Sequence, residues 1–176
     1  MTPIKSRIRT IPDYPKPGIQ FRDITTLLLD PVGLSLSVHQ LTEAWKGISV
    51  DKVAGIEARG FILGGAVAVA LHAGFVPVRK AGKLPHDTIG EDYALEYGTD
   101  RVEVHSDAIA SGDSVLLIDD LIATGGTAIA SVELIERAGG CIAGCGFVVD
   151  LPDLGGSARL AQRGLEVHSL CAFEGE

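Results

Sequence analysis

Apolar and polar positions alternate along the chain in a pattern of strands and helices. Residues 1–20 are rich in proline and have no apolar period, which predicts an irregular segment that drapes over the core or reaches a partner. Leu34, Val38, Leu41 and Trp45 then recur at i, i+4, i+7 and i+11, predicting a helix with one apolar face. Asp30 can cap that helix and Pro31 suits its first turn. Residues 53–56 form a short apolar run that predicts a buried strand, and 57–60 break it. The small apolar stretch 61–72 predicts a closely packed helix, and 75–78 another strand.

Residues 80–92 are polar and predict a loop, followed by an antiparallel pair, 93–97 with 101–104, around Gly98. Residues 115–118 are continuously apolar, as expected of a strand buried on both faces of a parallel sheet. A helix over 127–138 ends at Gly139 and Gly140. A strand over 141–149, a short helix near 157–162 and a strand over 167–170 complete the chain. Strands alternating with helices predict an α/β fold with a mostly parallel sheet. No internal repeat or interdomain linker interrupts it, and 176 residues suit a single domain.

Composition narrows the function. The net charge of −8 argues against a general nucleic-acid binder, so any phosphate must be met by a local basic cluster. Arg59, Arg79, Lys80 and Lys83 supply one. Cys141, Cys145 and Cys171 form no CxxC pair and have no histidine at ligand spacing, so they read as buried free thiols in a reducing compartment, not as a zinc site. The N-terminus lacks the apolar stretch of a signal peptide, and no window approaches the roughly 20 apolar residues of a membrane span. Both predict a cytoplasmic protein.

The candidate chemistry lies in residues 115–127, VLLIDDLIATGGT. Four apolar residues lead into Asp119 and Asp120, and Ala123, Thr124, Gly125, Gly126 and Thr127 then open a helix. Ligands of open α/β sheets bind beyond the carboxyl ends of strands. A helix N-terminus offers free N–H groups and a favourable dipole to a phosphate, and two glycines let the backbone wrap it. Paired carboxylates suit the vicinal hydroxyls of a sugar, or waters on a metal. The stretch therefore reads as a site for a phosphorylated sugar; neither GxGxxG after a strand nor GxxxxGK[ST] occurs.

This stretch resembles the phosphoribosyl pyrophosphate (PRPP) signature of type I phosphoribosyltransferases. Further segments resemble the adenine-specific branch in order along nearly the whole chain: PGIQFRDI (17–24), EARGF (57–61), RKAGKLP (79–85) and LEYG (95–98). The resemblance implies the type I phosphoribosyltransferase fold, with a mostly parallel central sheet flanked by helices and with a hood and flap. It implies one domain over 1–176, a base-binding hood in 1–30 and a flexible catalytic flap in 80–98. The implied reaction is transfer of the 5-phosphoribosyl group from PRPP to adenine, giving AMP and pyrophosphate in purine salvage, with Mg2+ as cofactor. A xanthine or other purine enzyme and a non-catalytic PRPP-sensing regulator are the alternatives. The absence of a lysine in 147–156, where 6-oxopurine enzymes typically carry one, favours adenine.

Residue roles follow from the same resemblance. Asp119 and Asp120 would hold the ribose hydroxyls, and 123–127 the 5′-phosphate. Glu57, Ala58 and Arg59 would form the pyrophosphate loop, with a cis peptide at Glu57-Ala58, and Arg79, Lys80 and Lys83 would neutralise the leaving group. Part of that basic cluster would reach the neighbouring site of a homodimer. Phe21 would stack on adenine, backbone groups near Gln20 and Arg22 would read its edge, and Leu121 would cover its other face. Asp23 would hold the local turn. Glu96 would exchange a proton with the purine N7, and Tyr97 would position the flap. Magnesium would be held mainly by PRPP, with no firm protein ligand. Ala58 stands where the family commonly has Ser, Ala81 replaces a frequently larger residue, and His86, Asp87, Glu91 and Asp92 give the flap an unusual acidity.

Overall fold

The computed structural model describes residues 3–94 and 98–175. Seven strands form one sheet in the order β5-β6-β4-β3-β7-β8-β9. These are β3 (Lys52–Ile56), β4 (Gly74–Lys80), β5 (Thr88–Ala94), β6 (Thr99–His105), β7 (Ser114–Ile122), β8 (Cys141–Asp150) and β9 (Val167–Ala172). The run β4-β3-β7-β8-β9 is parallel, while β6 and β5 add an antiparallel edge. A separate two-stranded sheet, β1 (Arg9–Pro12) with β2 (Gln20–Asp23), forms a hood. The helices are α1 (Thr25–Leu29), α2 (Pro31–Ala44), α3 (Arg59–Leu71), α4 (Gly126–Arg137) and α5 (Gly156–Gln162).

Two apolar clusters lie on opposite faces of the sheet. One gathers Leu117, Leu134 and Phe147 under α4, and the other gathers Leu41, Trp45, Leu63, Leu116 and Ile118 under α2 and α3. Asp30 caps α2 as expected, its carboxylate accepting from Val32 N at 3.0 Å. The most buried stripe of α2 is Gly33, Ser37 and Leu41, continued by Trp45 just past its end, with Leu34 and Val38 only partly covered. Gly33 starts that stripe because neighbouring chain lies too close for more: a Cβ there would meet Leu27 at 2.9 Å. Trp45 is fully buried, and a Cβ at Gly144 would lie 2.2 Å from its ring, so the indole rests on bare β8 backbone.

Several sequence expectations need correction. The N-terminal segment is not wholly irregular: it contains a 3-10 turn at Ile4–Arg7 and most of the β1–β2 hairpin, whose register pairs Arg9 with Asp23 and Ile11 with Phe21. Residues 88–92, expected as loop, belong to β5, paired one-to-one with β6. β7 does not end at the acid pair but runs through Asp119 and Asp120 to Ile122. Of the three cysteines, all free, Cys145 is buried and Cys171 partly so, but Cys141 is exposed. No helix among the described residues is long and apolar enough to cross a membrane.

Candidate active site

The site forms where β7 outruns its neighbour. β3 pairs with β7 only as far as Gly55↔Ile118, then turns away at Glu57. The Asp119 and Asp120 stretch of β7 thus faces a gap, and the start of α3 fills one side of it. Gly60 permits the approach: a Cβ there would lie 2.8 Å from Asp119 Oδ1 and 3.0 Å from Ile118 O. Arg59 Nε donates to Asp120 Oδ2 at 2.5 Å. Asp119 Oδ1 accepts the backbone N–H of Asp120 at 2.8 Å. Burial, reinforced by the adjacent Asp120 charge, pushes the Asp119 carboxyl well above its ordinary value.

Beyond the acids, residues 123–127 wrap into α4. Gly125 has φ 81°, and a Cβ there would also strike Gly156 Cα at 2.9 Å. Gly156 N donates to Ala123 O at 2.9 Å, and Arg159 Nη1 donates to Thr124 O at 2.8 Å, so the start of α5 braces the loop from behind. Among the described residues no side chain caps α4, which leaves its first N–H groups for a ligand.

Two cavities share a wall here. The first, of about 230 Å³, is lined by Glu57, Arg59, Lys80, both acids and all of 123–127. The second, of about 630 Å³, lies under the hood, between Gln20, Phe21 and Arg22 on one side and Leu121, Leu151 and Leu154 on the other. Arg59, Asp120, Leu121, Ala123 and Thr124 line both. The arrangement suits a ligand with a charged, hydroxylated half and a flat apolar half.

The Glu57-Ala58 peptide is cis. Ala58 itself is exposed and lines neither cavity. Glu57 acts as a clasp: it accepts from Lys83 Nζ at 2.5 Å, Arg79 Nε at 3.0 Å and Lys80 N at 3.2 Å. Burial pushes its carboxyl up, but these donors outweigh burial and leave it below its ordinary value. Only Lys80 of the 79–83 basic cluster reaches the first cavity; Arg79 and Lys83 stand behind it on Glu57. The Arg22 guanidinium donates to Thr10 Oγ1 at 2.6 Å and lies over the Phe173 ring at 4.4 Å. Asp23 ties the hairpin to α1 through Arg9 and the backbone N–H of Thr25, as a turn-holding residue should. Glu96 and Tyr97 lie outside the described residues.

Sequence reasoning missed Gly156, Arg159, Leu151 and Leu154. The DLPDLGG segment was legible only as lacking a lysine, although its two leucines and paired glycines were a signal of an apolar wall and a close backbone contact.

A phosphoribosyl transferase domain matches residues 36–163. Adenine phosphoribosyltransferases from Nitrosospira multiformis and Methylobacillus flagellatus are 62% and 65% identical, over 98% and 97% of both chains. The chain belongs to the adenine phosphoribosyltransferase family. The crystal structure of the Rhodothermus marinus adenine phosphoribosyltransferase superposes with a TM-score of 0.91 at 54% identity, covering 97% of this chain and 96% of that one. The Giardia lamblia adenine phosphoribosyltransferase, complexed with 9-deazaadenine, gives 0.92 at 37% identity over 98% and 99%. The type I phosphoribosyltransferase fold of the family is thus the fold of this chain.

Proposed function

We propose that this chain transfers the 5-phosphoribosyl group of PRPP to N9 of adenine, forming AMP and releasing pyrophosphate in purine salvage. The observation that carries this reading is the shared wall: the acid pair and phosphate loop of one cavity are continuous with the apolar slot of the other.

The 5′-phosphate docks on residues 123–127, where the N-terminal N–H groups of α4 meet it. Asp119 and Asp120 accept the ribose hydroxyls, and those donors relieve the buried Asp119 carboxyl. The pyrophosphate lies along Glu57, Ala58 and Arg59, with Lys80 alongside. Adenine slides between Phe21 and Leu121, its edge read by backbone groups near Gln20 and Arg22. The bond from C1′ to pyrophosphate breaks as N9 attacks, with positive charge developing on the ribose. Positioned cations stabilise the departing charge, and the hood with the 80–98 flap excludes water. Glu96 takes the purine proton from N7, and Tyr97 positions the flap.

Mg2+ would come with PRPP and would supply charge neutralisation on its diphosphate. The cleft fits a substrate-borne ion: among the described residues its carboxylates are Glu57, Asp119 and Asp120, of which Glu57 is committed to Lys83 and Arg79 while Asp120 accepts from Arg59. The ion's ligands would be PRPP oxygens and water, within reach of Asp119 and Asp120. The chain works as one domain over 1–176, as a cytoplasmic homodimer, with the Arg79–Lys83 loop close to the neighbouring site. The exposed side chains of Leu29, Ile62 and Val69 offer apolar area for such an interface.

The test is a steady-state assay with PRPP, magnesium and adenine, xanthine, hypoxanthine or guanine in turn. AMP from adenine alone is expected, with Glu96→Gln at least about 10²-fold slower. PRPP binding without reaction of any base would point to the sensing regulator instead.

A further inference from the structure

Lys80 closes β4, and its side chain lines the cleft beside Glu57 and Arg59. Its ammonium donates to the Tyr93 hydroxyl and to the Asp100 carboxylate. Tyr93 donates to the same Asp100 oxygen at 2.9 Å, which closes a triangle. Sheet register builds it: Tyr93 and Asp100 are cross-strand partners in β5 and β6, and β6 pairs with β4 through Val102↔Lys80. Tyr93 is only 8% exposed and abuts the phosphate loop, where a Cβ on Gly126 would lie 3.5 Å from its ring. The ammonium also stands 5.0 Å from the centre of that ring.

An ammonium has three N–H donors. Two are fixed within the triangle, so the direction of the third is fixed as well. Hydrogen bonding to Lys80 holds the Asp100 carboxyl below its ordinary value, and Asp100 raises Lys80 against its burial, so both remain charged. We infer that Asp100 and Tyr93 are positioning residues, holding the Lys80 ammonium so that its remaining N–H meets the diphosphate of PRPP. The inference rests on the proposed function and goes beyond it, because neither residue lines either cavity.

Calorimetric titration of PRPP with magnesium, paired with KM values for PRPP and adenine, tests the assignment. Asp100→Ala and Tyr93→Phe should each weaken PRPP binding by about fivefold to twentyfold, with the adenine KM unchanged and with recovery in Asp100→Glu. In a Lys80→Ala background, Asp100→Ala should add nothing. Should Asp100→Ala misfold, Asp100→Asn enters the same cycle. Unchanged or tighter PRPP binding, or an equal loss without Lys80, overturns the inference. Wild type that binds PRPP but forms no AMP defeats the proposed function alone. An active wild type indifferent to Asp100 defeats the positioning role alone.

Discussion

Arg59 and Asp120, 61 residues apart in sequence, are joined by a 2.5 Å hydrogen bond from Nε to Oδ2. The bond links the start of α3 to the acid pair of β7, and both residues line both cavities. Asp120 is buried at 6% exposure, so removal of its guanidinium partner strands a carboxylate. Arg59→Ala should lower kcat/KM for PRPP by roughly 10–10²-fold, since truncating one member of such a pair exposes the cost of the other. Arg59→Ala combined with Asp120→Asn should lose less than the sum of the single losses, because the two changes remove one shared interaction. Strict additivity in steady-state kinetics would show that the residues act separately.

Gly60 and Gly156 mark where backbone must approach the site. A Cβ at Gly60 meets Asp119 Oδ1 at 2.8 Å, and one at Gly156 meets Ala123 O at 2.3 Å. Gly60→Ala should therefore displace the acid pair, and Gly156→Ala the phosphate loop. Each should raise the PRPP dissociation constant by about 10-fold or more, as sub-ångström displacement of a positioned site can. The second cavity shares part of that wall but is also lined by Gln20, Phe21, Arg22, Leu151 and Leu154, so adenine KM should change less. Gly144→Ala is the control: it crowds Trp45 on the far side of β8, so it should lower Tm while leaving PRPP affinity intact. A Gly156→Ala protein with normal PRPP affinity would mean that the loop does not depend on α5.

These glycines also mark how far the sequence could be read. The strand, acid pair, Gly-rich loop and helix of 114–137 were legible because all four signals are local and consecutive. The first part of β5, 88–92, was not, because Gly90, Glu91 and Asp92 lack strand character and are held by β6, with Arg137 bonding Glu91 and the Gly90 carbonyl. β1 was hidden by Pro12 and by polar residues whose pairing is with β2. The brace of Gly156 on Ala123 joins residues distant in sequence, and one glycine among 22 carries no sign of its neighbour. Glu57 likewise reads as part of a pyrophosphate loop, and only the structure reveals it as the acceptor for Arg79 and Lys83.

The Glu57 clasp makes a separate prediction. Glu57→Gln keeps the shape but removes the charge that holds Lys83 and Arg79. Charge-assisted bonds are about twice as strong as neutral ones, so the basic cluster should loosen. The pyrophosphate KM of the reverse reaction should then change by about threefold or more, with adenine KM unaffected. Equal kinetics for Glu57→Gln and wild type would mean that the cluster is held by other contacts.

Asp23 couples the hood to acid stability. The Arg9 guanidinium and then the Thr25 backbone N–H hold its carboxyl down, from an ordinary 3.8 to about 2. A depressed carboxylate stabilises the fold above its unfolded pKa, and that contribution fades as pH falls through the folded value. Wild type should therefore exceed Asp23→Asn in Tm by a constant margin from neutral pH down to about 4, and the margin should shrink between about 4 and 2. Circular dichroism melts across that range measure it. Asp23 closes the strand that carries Gln20, Phe21 and Arg22, so the same substitution should raise adenine KM at neutral pH without changing PRPP affinity. A Tm margin that persisted undiminished to pH 2 would assign the stabilisation to hydrogen-bond geometry that Asn cannot reproduce, not to the carboxylate charge.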